Sequence, residues 1–131
     1  MILGLDVGTK STGVAISDDE GRVAVGRGTL TGAWSDMFSA IRALALSRSI
    51  KRIVVGLPLA LSGKETEQTT LTRSFVQQLQ QHVSVPVVLH DERLTSVEAK
   101  RQSRERIDER SAILMLQSYL DLHNQQRKEL P

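Results

Sequence analysis

The sequence predicts an α/β fold: a mixed sheet with helices on both faces. Three observations carry the prediction. Three short apolar runs open the chain and are separated by turn clusters, which reads as an antiparallel meander. From Trp34 onward, helical and strand-like patterns alternate, which reads as crossover units joining parallel strands. The run Ile53-Val54-Val55-Gly56-Leu57 has no polar alternation, as expected of a central strand covered on both sides.

The elements follow in order. Met1 to Val7 is an apolar strand carrying one acid, Asp6. Gly8 to Gly13 makes a small polar turn, and Val14-Ala15-Ile16 returns as the second strand. Asp18 to Gly21 is a turn cluster, and Arg22 to Leu30 is a third strand, with Gly26 and Gly28 marking an edge or a bulge. Met37, Phe38, Ile41, Leu44 and Ala45 share one face of a helix over Trp34 to Ser47. Pro58 stops the next strand, and Ser62 with Glu65 reads as a capping box opening a second helix striped by Leu71, Phe75 and Leu79. Val85 to Leu89 is a strand with Pro86 near its start, running into His90-Asp91-Glu92-Arg93. Thr95 and Glu98 read as a capping box for a short helix bearing Lys100 and Arg101, and residues 102–107 as a mobile loop. A last helix over Asp108 to His123 buries Ala112, Met115, Tyr119 and Leu122, and Asn124 to Pro131 reads as a frayed tail.

A length of 131 residues, 40% of them hydrophobic, suits one domain with one ordinary core. Aromatics make up only 3%, so aliphatic side chains must fill it. The absence of cysteine excludes disulfides and thiolate zinc sites and points to a reducing, cytoplasmic setting. No stretch approaches the roughly 18 apolar residues of a membrane helix. Net charge is only +2. Three acids committed to a metal would leave a basic excess suited to a polyanionic partner. Charge alone fits a mildly basic soluble protein better.

The acids carry the chemistry. Asp6 alternates with Leu3, Leu5 and Val7 and so faces the other side of the sheet from them. Burying a carboxylate in a sheet costs several kcal/mol unless it is paired or binds a cation. Asp91 and Glu92 end a parallel strand and project to opposite faces, and Glu92 is long enough to reach back over the strand end. Asp108 shares a helical stripe with Ala112, Met115 and Tyr119, so it faces the core side. Strand ends and helix starts also favour acids as turn formers and caps. Three separated acids meeting at one strand end suggest a site for two Mg²⁺ or Mn²⁺ ions acting on a phosphodiester. Asp6, Glu92 and Asp108 are the catalytic and metal-binding candidates, with Asp91 as the alternative ligand. Gly8, Thr9, Lys10, Arg93, Lys100 and Arg101 are the candidates for substrate phosphates.

Four blocks then carry a resemblance. They are Leu5 to Gly13, Ile53 to Leu59, His90 to Ala99, and Asp108 to Leu120 closing on Gln117-Ser118-Tyr119-Leu120. In that order they resemble the bacterial YqgF/RuvX family within the RNase H-like superfold. The resemblance implies a single RNase H-like domain over residues 1–131, with a five-stranded mixed sheet. It implies catalytic acids at Asp6, Glu92 and Asp108. It further implies a cytoplasmic, metal-dependent nuclease that trims the 5′ end of precursor 16S rRNA, with the small ribosomal subunit as a candidate partner. Gln117 departs from the family pattern, which often has Glu there.

Three other functions compete. Related folds cleave branched DNA as Holliday-junction resolvases, which would require a homodimer presenting two sites. Asp-x-Gly-Thr-x-x-x-Gly also resembles the phosphate hairpin of sugar kinases and actin-like ATPases, which use two such domains. A non-catalytic RNA-binding role in ribosome assembly is the third.

Overall fold

The computed structural model describes residues 1–94 and 107–129, with side chains described for residues 1–93 and 109–124. The meander is β1 (Ile2–Val7), β2 (Ser11–Ser17) and β3 (Ala24–Thr31). It is followed by α1 (Trp34–Ser47), β4 (Arg52–Leu57), α2 (Glu67–Leu79), β5 (Val87–Asp91), a single 3₁₀ turn (Glu92–Leu94) and α3 (Ile107–Glu129). The strand order is β3-β2-β1-β4-β5. β1 pairs antiparallel with β2 and parallel with β4, and β4 pairs parallel with β5. This is the five-stranded mixed sheet of the expected fold.

The sheet parts the core by side-chain parity. Leu3, Leu5, Val7, Ile53 and Val55 face α1 and α2, meeting Met37, Phe38, Ile41, Phe75 and Leu79. The few large aromatics gather there: Phe38 and Phe75 ring centroids lie 4.9 Å apart, and Trp34 meets the Phe75 ring edge-on at 5.2 Å. On the other face Ile2, Ala15 and Val54 meet Ala112, Met115, Leu116 and Leu120 of α3.

α3 approaches closely on that face where Gly4 sets no side chain beneath Leu116. A Cβ on Gly4 would fall 2.8 Å from Leu116 Cβ, closer than side chains pack. Gly4→Ala is expected to lower stability by about 1–3 kcal/mol through overpacking. A loss of several degrees in thermal melting, with α-helical circular dichroism retained at 20 °C or so, would check it.

Several boundaries differ from the sequence reading. α2 starts after Thr66, whose hydroxyl accepts from Thr69 N–H while Thr69 Oγ1 accepts from Thr66 N–H at 2.9 Å. Two threonines thus do the reciprocal capping expected of Ser62 and Glu65. Glu65 instead pairs with Arg73 at 2.6 Å. The expected tail is helical as far as Glu129, since Gln, Arg, Lys and Glu are good helix formers and no glycine intervenes. Leu122, expected inside, is 41% exposed. The Thr95–Glu98 cap and the loop over 102–107 fall at or beyond the edge of the described residues, which resume at Ile107.

β3 is both an edge strand and a bulged one. Its register with β2 shifts between Gly13 and Ala15, and Gly28 takes φ of +85°. Gln117 of α3 closes over the start of this strand. Its amide oxygen accepts from Ala24 N–H at 2.9 Å and its nitrogen donates to the Arg22 carbonyl at 2.8 Å. A glutamate at 117 could make only the first of these bonds at neutral pH.

Candidate active site

The acids lie at the carboxyl ends of the parallel strands, where open α/β sheets hold their ligands. Asp6 is half-buried on the α3 face, opposite Gly13 of β2. On its other side, continuing the Gly4–Val54 register by two residues puts Gly56 of β4 beside it. Gly56 in turn pairs with His90 of β5. Asp6 therefore stands with a glycine on each side, so neither neighbouring strand sets a side chain of its own directly beside it.

Glu92 fills part of that space. It is the first residue after β5, and its side chain turns back across β4. Glu92 Oε1 lies 2.6 Å from where a Cβ on Gly56 would stand, with Met115 Cγ at 3.0 Å from the same point. Adjacent strands are about 4.8 Å apart, so a carboxylate over Gly56 lies over the immediate neighbour of Asp6. The structure thus brings two of the three expected acids to one face and one strand end. The third, Asp108, occupies the first turn of α3, one turn before the buried Ala112, and its side chain lies outside those described. Among the described residues, no group of three or more His, Asp or Glu forms a metal-ready cluster. Asp6 and Glu92 are hard oxygen donors over a surface of glycines, a donor set that suits Mg²⁺ or Mn²⁺.

Asp91 does not join them. It pairs with Leu57 and faces the α1–α2 side of the sheet, away from Asp6. Arg93 grips it through Nη2 at 2.6 Å and Nε at 2.9 Å. These bonds hold the Asp91 carboxyl below the usual carboxylate range. Asp91, expected as the alternative ligand, and Arg93, expected at a phosphate, are thus placed against each other. Because the folded-state pKa is depressed, the pair's contribution is complete near neutrality and is lost as pH falls through that lowered value. Amide exchange at Ala60 and Gly63, in the loop Arg93 contacts, should accelerate in that acid range and should do so at all pH values in Arg93→Ala.

The Gly8-Thr9-Lys10 turn is tight. Gly8 N–H donates to the Ser11 carbonyl at 2.8 Å, and a Cβ there would fall 2.6 Å from the same oxygen. The Gly8 N–H is thus engaged within the turn. Thr9 and Lys10 stand exposed at the tip. Lys100 and Arg101 lie outside the described residues.

Two further residues border the site. His90 is buried, with Nε2 at 3.2 Å from Ser118 Oγ and its ring nearly perpendicular to that of Tyr119, centroids 5.7 Å apart. Desolvation pushes its pKa below the ordinary histidine value, which favours the neutral ring. Glu109 was missed in the sequence reading. Its Oε1 occupies the place a Cβ on Gly26 would take, so the first turn of α3 rests directly on the β3 bulge. The signal was present in Gly26 and Gly28, because edge-strand glycines mark close approach of another element.

A model of the family described as "RuvX: Holliday junction resolvase" matches residues 1–122. A protein of Sulfurihydrogenibium sp. named "Putative pre-16S rRNA nuclease" is 40% identical over 92% of this chain and 89% of its own. One of the same name from Koribacter versatilis is 39% identical over 98% of this chain and 91% of its own. Among solved structures, T. thermophilus RuvC in complex with a Holliday junction substrate superposes with a TM-score of 0.68 over 95% of each chain. At 9% identity that likeness establishes the shared fold. With the family model spanning nearly the whole sequence and relatives this similar along their full lengths, the chain belongs to the RuvX family.

Proposed function

We propose that this protein is a metal-dependent nuclease that hydrolyses phosphodiester bonds and trims the 5′ end of precursor 16S rRNA in the cytoplasm. The observation that carries the chemistry is Glu92 lying back over Gly56, the register neighbour of Asp6. The names of the curated relatives support the substrate.

Asp6, Glu92 and Asp108 would hold the metal. When bound, two Mg²⁺ or Mn²⁺ ions supply Lewis-acid polarisation of the phosphate and a water of lowered pKa. The chain's own residues do the rest. Gly56 leaves room for the Glu92 side chain to lie back toward Asp6. Met115 and Ala112 seal the sheet side against solvent. Lys10, at the tip of the β1–β2 turn, offers a positive charge to a flanking phosphate.

The family description favours a second reading, cleavage of branched DNA. The test is to incubate the purified protein with precursor 16S rRNA and with a four-way DNA junction, each with and without Mn²⁺. The expected result is cutting of the RNA that depends on Mn²⁺ and stops with chelator. Cutting of the junction alone would transfer the assignment to branched DNA, and RNA cleavage unchanged by chelator would overturn the metal.

A further inference from the structure

The segment joining β4 to α2 is a built hairpin. Leu59 and Glu65 form an antiparallel bridge. Ala60 N–H donates to the Lys64 carbonyl at 3.0 Å, and Gly63 N–H to the Ala60 carbonyl at 2.8 Å. Gly63 takes φ of +90°, a conformation that residues with a side chain rarely adopt. Arg93 straps the hairpin from outside: held by Asp91, it donates from Nη1 to the Leu61 carbonyl at 3.4 Å. The hairpin leaves the carboxyl end of β4, and Arg93, just past the end of β5, ties the Leu61 backbone to that same end of the sheet.

The Leu61 side chain is 88% exposed, the most of any large hydrophobic among the described residues. A lone exposed leucine on a slack loop is ordinary. One presented by a pinned hairpin at the carboxylate end of the sheet is placed to meet something. Lys64 stands exposed on the same hairpin, and Lys10 on the turn at the same end of the sheet, so the apolar tip is flanked by cations. Apolar tip and flanking lysines match the two halves of a nucleotide, a flat base and an anionic phosphate.

We propose that Leu61 is an apolar wedge that packs against an unstacked nucleobase of the substrate and so sets which phosphodiester lies over Asp6 and Glu92. The substrate class rests on the nuclease reading above; the contact itself does not require cleavage. Leu61 acts on position along the strand, and the carboxylates act on the bond.

The full chain can test this with a short single-stranded RNA in EDTA, where no cutting occurs. Leu61→Trp places an emitter at the tip, and Leu46→Trp places one at the 71%-exposed Leu46, near the end of α1 and away from the strand ends that carry the acids. RNA is expected to quench the added emission of Leu61→Trp and not that of Leu46→Trp. Leu61→Ala is expected to raise the RNA dissociation constant about tenfold by removing apolar contact, with an unchanged melting temperature, while Leu46→Ala leaves it unaltered. With Mn²⁺, Leu61→Ala should raise KM for RNA and leave hydrolysis of bis(p-nitrophenyl) phosphate unaffected. Equal quenching at the two positions, or unchanged RNA affinity in Leu61→Ala, overturns the wedge. Selective quenching together with no hydrolysis of either substrate by the wild type would sustain the wedge and remove the nuclease reading. Failure of the wild type to bind RNA, in EDTA and with Mn²⁺ alike, would remove both.

Discussion

Asp6→Asn is expected to reduce cleavage of precursor 16S rRNA by about a thousandfold or more, because losing a metal-holding charge forfeits several kcal/mol of transition-state stabilisation. The fold should survive. Asparagine is nearly isosteric, and the strand around position 6 is held by neighbours on both sides. The melting temperature of the variant in EDTA is therefore expected to stay close to that of the wild type. Adding Mn²⁺ should raise the wild-type melting temperature, since a ligand bound only by the folded state stabilises it, and should raise that of the variant much less. Three measurements check this: single-turnover cleavage, melting in EDTA, and melting in Mn²⁺. Full cleavage by Asp6→Asn at saturating Mg²⁺ would remove Asp6 from the site.

Gly56→Ala separates a placement effect from a folding effect. The new methyl would stand 2.6 Å from Glu92 Oε1, which must move, and 3.0 Å from Met115 Cγ, which must give slightly. The carboxylate is the far end of a flexible side chain, so its displacement costs the fold little. Misplacing a reacting group by about 1 Å costs on the order of a hundredfold in rate. The expected result is a drop of a few degrees in melting temperature, a loss of at least about a hundredfold in cleavage, and weaker Mn²⁺ binding. Gly4→Ala, on the same face but away from the acids, should show the opposite balance, losing stability and keeping its rate per folded molecule. Wild-type cleavage by Gly56→Ala would mean that the observed position of Glu92 is not the working one.

Much of this was legible in the chain because it depends on local periodicity. The parity of Asp6 against Leu3, Leu5 and Val7 settles its face, and the length of Glu92 allows it to turn back over β4. The α1 boundaries match the sequence reading because apolar spacing and a turn on either side agree. What escaped depends on residues far apart in sequence. Arg93 reaches the Leu61 carbonyl 32 residues earlier, a contact that no local spacing announces. Glu109 looked like an ordinary helix-start acid, and only the bulge 83 residues earlier, at Gly26, shows where it rests. The capping of α2 escaped for another reason: Thr66 and Thr69 satisfy each other through hydroxyls, a pattern less conspicuous than one with Glu.

α3 follows all five strands in the chain, yet it is the element that roofs one side of the sheet. During translation the strands emerge first, with Ile2, Ala15 and Val54 turned to water until the roof arrives. A polypeptide stalled before Ile107 would hold both strand-end acids without the helix packed above them, and its bare apolar side would make it a substrate for chaperones. Such a chain would also lack Asp108, so the proposed trio of acids is complete only once α3 has been made.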